Sequence, residues 1–191
     1  NKIRVGVVGV GNCASALIQG VEFYRQHPER HGLMAATIGG YSPADIEFSC
    51  AFDVNRDKVG RDLAEAVYAA PNNTRRVVVP DLAALGVTVV RGSLLDGLGR
   101  SHATVVPVDD AAAAVDVERH LRGTRTEVLV NYLPVGSQVA TEFYAAAAIR
   151  AGVAFVNAIP VFIARDERWR ERFVAAHLPL IGDDIKSQVG A

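Results

Sequence analysis

Apolar residues in this chain fall in short dense runs, separated by stretches with either helical spacing or turn residues. Residues 3–8, IRVGVV, are rich in valine and isoleucine, the pattern of a strand buried on both faces. From Asn12 to about Gln26, Ala14, Leu17, Ile18 and Val21 recur on one helical face, and HPERHG at 27–32 ends that helix. Residues 33–45, LMAATIGGYSPAD, show neither period, and Gly39-Gly40 and Ser42-Pro43 mark a loop or excursion. A second strand is expected over Ile46–Phe52, with Asp53 at its end. Asn55 then stands to cap a helix through RDKVGRDLAEAVYAA, closed by the turn PNNT at 71–74.

Further along, GVTVVRG and ATVVPV read as short strands, and Asp109 or Asp110 stands to cap a helix through AAAAVDVERHL that Gly123 ends. Glu127–Leu133 is expected as a strand, followed after PVGS by a helix with Val139, Phe143, Ala146 and Ile149 on its apolar side. GVAFVNAI is the next strand, 166–176 an Arg- and Glu-rich helix, LPLIGDD the last strand, and Asp184 the start of another helix. Nearly uniform apolar strands alternating with helices predict an α/β fold, doubly wound, around a mainly parallel sheet.

The chain has 191 residues, half of them hydrophobic, enough for one large domain with a substantial core. Its net charge of -1 gives no reason to expect nucleic acid or an anionic membrane as partner. Cys13 and Cys50 are too few for a disulfide framework and read as small buried residues of a reducing compartment. No apolar run approaches the roughly 20 residues of a membrane span, so a cytoplasmic protein is expected. Both ends read as cut, one entering a strand at once and the other stopping within a helix.

Gly9-x-Gly11-x-x-Ala14 follows a strand and opens a helix, the context in which glycines cradle a dinucleotide pyrophosphate. Gly9 would make the turn, Gly11 would let phosphate approach the backbone, and Ala14 would let helix and strand pack closely; a plain glycine turn remains the alternative. Asp53 can hold both ribose hydroxyls and disfavours a 2′-phosphate, which favours NAD. It stands 42 residues beyond Gly11, longer than the usual spacing of about 20, which an insertion at 27–45 explains. Four later strand ends, RGSLLDG, NYLPVGS, NAIPVF and GDDIKS, break into polar or small residues where an open sheet gathers ligands. Asn131 and Ser137 can place donors beside a nicotinamide or ribose, and Pro134 and Pro160 fix the chain's exit. Asp183, Asp184 and Lys186 can orient hydroxyls, hold a cation or carry a proton; Asp184 as helix cap and Lys186 as solvated side chain is the alternative. The five histidines show no metal-ligand spacing, and no Walker lysine or serine elbow is present.

VGVVGVGNCASALIQGVEFY, AFDVNRDKVGRDLAEAV, NYLPVGS, AGVAFVNAIPVFIA and GDDIKSQVGA together resemble the bacterial and archaeal myo-inositol-1-phosphate (inositol-3-phosphate) synthases, most closely the actinobacterial ones. The resemblance implies a Rossmann-type NAD domain over 1–182, with 183–191 opening the connection to a second α+β domain for catalysis and tetramer assembly. It implies conversion of glucose 6-phosphate to inositol 3-phosphate, in inositol and phospholipid biosynthesis, by oxidation, enolisation, aldol closure and reduction with no net redox change. Gly9, Gly11, Asn12, Cys13 and Ala14 would line the pyrophosphate and Asp53 the adenosine ribose. Asn131, Pro134 and Ser137 would lie along the nicotinamide. Asp184 and Lys186 would border the active site, supported by Asp183, while Asn72, Asn73 and Thr74 are weaker cofactor candidates. Ser93 departs from the family's frequent proline. The family's catalytic lysines and phosphate ligands lie mostly beyond Ala191, so this portion alone is expected to be inactive. A simple NAD-dependent dehydrogenase and a non-catalytic NAD(H)-sensing module are the competing expectations.

Overall fold

The computed structural model describes residues 2–27, 32–78, 82–98 and 106–185. Six strands, β1 (Ile3–Val8), β2 (Ile46–Asp53), β3 (Val89–Arg91), β4 (Val128–Asn131), β5 (Ala154–Asn157) and β6 (Leu180–Ile181), form one sheet in the order β3-β2-β1-β4-β5-β6. Every pair is parallel. The chain winds outward from β1 to β3, then returns to β4 and winds the other way, which is the doubly wound Rossmann arrangement with its switch point between β1 and β4.

Helices cover both faces. On one, α1 (Asn12–Gln26) and the single turn α2 (Leu63–Ala66) pack on Val5, Val7, Phe48 and Ala51. On the other, α3 (Val117–Gly123), α4 (Gln138–Ala151) and α5 (Glu167–Ala175) pack on Val8, Cys50, Phe52, Leu129 and Phe155. Strict alternation would send Phe48, Cys50 and Phe52 to one face. A bulge separates them: Val5 pairs with Phe48 and Gly6 with Cys50, leaving Ser49 as the extra residue of β2.

The helix expected over 56–70 is reduced to α2. The Asn55 side chain accepts from the Asp57 amide at 2.8 Å, opening a turn instead of a helix, and Gly60 takes φ +84°. The chain then runs beside β3, with Gly60 N–H on Val89 O and Leu63 N–H on Val87 O, until Asp62 caps α2. The helix expected from residue 111 begins only at Val117, capped by Asp116. Asp109 instead closes a turn by accepting from the amides of Ala111 and Ala112, and Val115 N–H is taken by Arg91 O. In both segments tertiary bonding to the β3 edge overrides local helical preference.

On α4 the buried residues are Ala140, Thr141, Tyr144, Ala145, Ala147 and Ala148, while Val139 of the expected stripe is 55% exposed. The small alanines let this helix approach the sheet closely, a stronger pull than the hydrophobicity of the larger residues. The strand expected at 103–108 falls mostly outside the described residues; Val108 makes an isolated bridge to Asn55. The excursion after α1 is present, with Ile38 bridging Tyr41 and a 3-10 turn at Pro43–Asp45 leading into β2.

Candidate functional site

At the carboxyl end of the sheet, β1 stops at Val8 and the chain turns through Gly9, Val10 and Gly11 into α1. Gly9 adopts φ +85° and donates to Phe52 O at 2.9 Å. A Cβ at this position would lie 2.7 Å from Tyr132 O, so the turn's approach to β4 requires glycine. Gly11 faces open space, and no side chain caps the first turn of α1. The start of α1 therefore presents backbone amides and the positive end of a 15-residue helix to whatever fills that space. Cys13 is half-buried beside this turn and Ala14 is fully buried against the sheet.

Asp53, at the end of β2, faces the same turn. Its Oδ2 accepts from Val10 N–H at 2.7 Å, and its Oδ1 accepts from the amides of Val54 and Asn55, each at 2.8 Å. A carboxylate has about four acceptor sites, so one on Oδ2 stays available to a ligand. Lys58 follows in the turn after β2. It is 4% exposed, donates from Nζ to Val10 O at 2.6 Å, and has its pKa lowered by burial, which the charge of Asp53 partly opposes. Asn12 binds Asn73 twice, side chain to side chain at 2.7 Å and from the Asn73 amide at 3.0 Å, and Thr74 Oγ1 donates to it. The PNNT turn is thereby drawn to the start of α1.

Asp53, Lys58 and the glycine turn border an open cleft of about 160 Å³ that reaches across to Tyr132 and Pro134. The loop after β3 forms the opposite wall with Leu94 and Leu95. Asp96 ties that wall down by accepting from the amides of Val139 and Ala140 at 2.8 and 2.9 Å, so it caps α4 from a distant segment. Tyr144 closes the inner end; burial, with Asp53 and Cys50 nearby, pushes its phenol pKa well up, so it stays neutral.

Other candidate residues are spent inside the protein. Asn131 is fully buried, donating to Thr141 Oγ1 and Asn157 Oδ1 and accepting from Leu133 N–H. Ser137, also buried, donates to Pro134 O at 2.7 Å. Neither side chain lines the cleft, whereas Pro134 does. Asp183 accepts four hydrogen bonds, from Asn157 Nδ2 and from the amides of Ile163, Ala164 and Arg165, and so fixes the loop after β5. Asp184 adopts φ +62°, and its Oδ1 is buried without a hydrogen-bond partner among the described residues. Both aspartates follow β6, at the sheet edge remote from this cleft, and line no part of it. Lys186 lies outside the described residues, as does the helix expected from Asp184 beyond Ile185; Asp184 itself, at φ +62°, is not helical.

The positions of Lys58 and Asp96 are the parts of the site the sequence did not announce. Lys58 sits in a stretch that reads as helix, and Asp96 in a strand end whose partner is 43 residues away. Among the described residues, no three His, Cys, Asp or Glu side chains are grouped to hold a metal ion, and no helix is long and apolar enough to cross a membrane.

No protein-family model matches the chain. The inositol-3-phosphate synthase of Mycolicibacterium smegmatis is 52% identical over 193 aligned positions, covering all of this chain and 52% of that protein. That of Mycobacterium tuberculosis is 50% identical with the same coverage. Among solved structures, Ari2 superposes with a TM-score of 0.81 at 37% identity, over 96% of this chain and 54% of Ari2. The chain spans about half the length of these curated relatives, and over that span it is homologous along its whole length to the bacterial inositol-3-phosphate synthase family, to its actinobacterial members in particular.

Proposed function

We propose that this chain forms the NAD-binding part of an enzyme that converts glucose 6-phosphate to inositol 3-phosphate. The observation that carries the reading is the identity of about half of all positions with synthases of that name, along the whole chain. The cleft supports it physically. The uncapped start of α1 and the open space at Gly11 fit a pyrophosphate, and the spare acceptor of Asp53 fits a ribose hydroxyl. Bound NAD would take and return a hydride at the sugar.

In this reading the backbone of Gly9, Gly11, Asn12, Cys13 and Ala14 holds the pyrophosphate and Asp53 the adenosine ribose. Asn73 stiffens the turn through Asn12, and Pro134 borders the nicotinamide end. Asn131 and Ser137 act from behind the wall, setting the course of the chain after β4 by their bonds to Leu133 N–H and Pro134 O. Asp184 and Lys186 belong to the edge of the substrate site, where a lysine would stabilise the charge that develops on a carbonyl oxygen during enolisation. Residues 1–182 are the nucleotide domain and 183–191 lead to a second domain, in a homotetramer.

The test is to express the full-length protein, titrate NAD, and follow glucose 6-phosphate to inositol phosphate. Binding with turnover supports the proposal. Tight NAD binding with no turnover of that sugar phosphate would favour a nucleotide-sensing module, and failure to bind NAD would refute the reading.

A further inference from the structure

Val10, between the two glycines of the turn, has both its peptide groups held by charged side chains. Asp53 accepts its N–H at 2.7 Å, and Lys58 donates to its C=O at 2.6 Å. Flanking glycines leave such a turn free to adopt many conformations, so something must choose one. Lys58 is an expensive means of doing so. It is 4% exposed, none of the ion pairs among the described residues includes it, and the nearby charge of Asp53 offsets its burial only in part. An ammonium has three donors and the Val10 carbonyl uses one. A neutral donor would pin that carbonyl without the penalty of a buried charge. Yet Lys58 lines the cleft in which the preceding reading places a dinucleotide carrying two phosphate charges, and its ammonium is held at the glycine turn of that cleft.

We propose that Lys58 is a cofactor-positioning residue: with Asp53 it fixes Val10, and its buried charge is completed by the phosphates of the dinucleotide. The inference rests on the nucleotide reading of the cleft and adds a residue to it. Two roles are combined, a donor to Val10 and a charge toward the ligand, and they are separable. Lys58→Gln keeps a donor and removes the charge, Lys58→Met removes both, and Lys58→Arg keeps both with altered shape.

The experiment measures NAD binding by calorimetry on the full-length protein and these variants at low and high salt, with thermal unfolding of each without cofactor. Both neutral variants should stay folded, since burying glutamine or methionine costs less than burying an ammonium. NAD affinity should fall roughly 10- to 100-fold in Lys58→Met, the range for losing a charge-assisted bond, less in Lys58→Gln, and least in Lys58→Arg. Binding should also be less salt-dependent in the neutral variants than in the unsubstituted protein or Lys58→Arg. Unchanged NAD affinity in Lys58→Met, or a loss with unchanged salt dependence, would overturn the proposal. So would failure of both neutral variants to fold, which would make Lys58 a structural residue. Absence of NAD binding by the unsubstituted protein would instead sink the nucleotide reading itself.

Discussion

At the residue scale, Asp53 has two duties that a single substitution can divide. It clasps three backbone amides at the turn, and in the proposed reading its remaining acceptor takes a ribose hydroxyl. Asp53→Asn removes the charge and keeps one oxygen for the Val54 and Asn55 amides but sets its NH2 against the Val10 N–H, so preference for NAD over NADP should narrow by about tenfold at a stability cost of about 1–3 kcal/mol. Dissociation constants for both nucleotides decide this; an unchanged ratio would mean that Asp53 does not face the 2′ position. His120 offers a second test. Burial lowers its pKa below the usual 6.5, and its ring meets Phe52 edge-on at 5.4 Å. The unfolded chain therefore binds a proton more readily than the folded one as pH falls below about 6.5. His120 should contribute no penalty above that pH, and one that grows as pH falls from about 6.5 to its folded pKa and levels off below it. Denaturation midpoints of His120→Gln between pH 7.5 and 5 should decline less than those of the unsubstituted protein. Asp53 was legible because a charge directly after an apolar run marks a strand end. Lys58 was not, since its role depends on a carbonyl 48 positions earlier in the chain.

At the element scale, the strands and α1 follow the apolar pattern closely because burial on two faces leaves little choice of register or period. The helices after β2 and β3 do not follow it. There the amides that would continue a helix are taken by Asn55, Asp109 and the edge of β3, and no window of local sequence contains that competition. The cap of α4 shows the same limit. Ser137 stands at the capping position and has a suitable side chain, yet its hydroxyl serves Pro134 O while Asp96 takes the helix amides. Asp96→Ala should cost about 1–2 kcal/mol of stability as a lost cap. It should also weaken NAD binding, because the loop carrying Leu94 and Leu95 loses its tether to α4. Ser137→Ala should cost less and leave the cleft wall in place. Chemical denaturation with NAD titration on both variants separates the two residues, and equal effects on stability and affinity would show that Asp96 is not the cap that matters.

At the scale of the whole molecule, the alternation of strands and helices made the doubly wound sheet legible, and the glycine turn with Asp53 made one end of the cleft legible. What the sequence could not separate was a polar residue facing a ligand from one holding strand ends together, since both stand where an apolar run stops. Asn131 and Asn157 are register partners on β4 and β5, and with Asp183 after β6 they form a buried hydrogen-bonded line across three neighbouring strands. Each Asp183 oxygen accepts two of its four bonds: Oδ1 from Asn157 and Ala164, Oδ2 from Ile163 and Arg165. Asp183→Asn preserves shape but must set an NH2 group against two N–H donors whichever way it is turned. The expected cost is about 2–4 kcal/mol, from donors left buried without acceptors. The loss should be local, because the β1–β2–α1 side, with its own apolar cluster, makes none of these bonds. Hydrogen exchange on Asp183→Asn should therefore show protection lost over 158–165 and 178–185 and retained in β1, β2 and α1. NAD binding should be weakened little, while turnover, which the functional reading assigns in part to the segment after Asp183, should drop. Uniform loss of protection across all six strands would show that this line supports the sheet as one cooperative unit, and would remove the grounds for treating its two ends as separable in function.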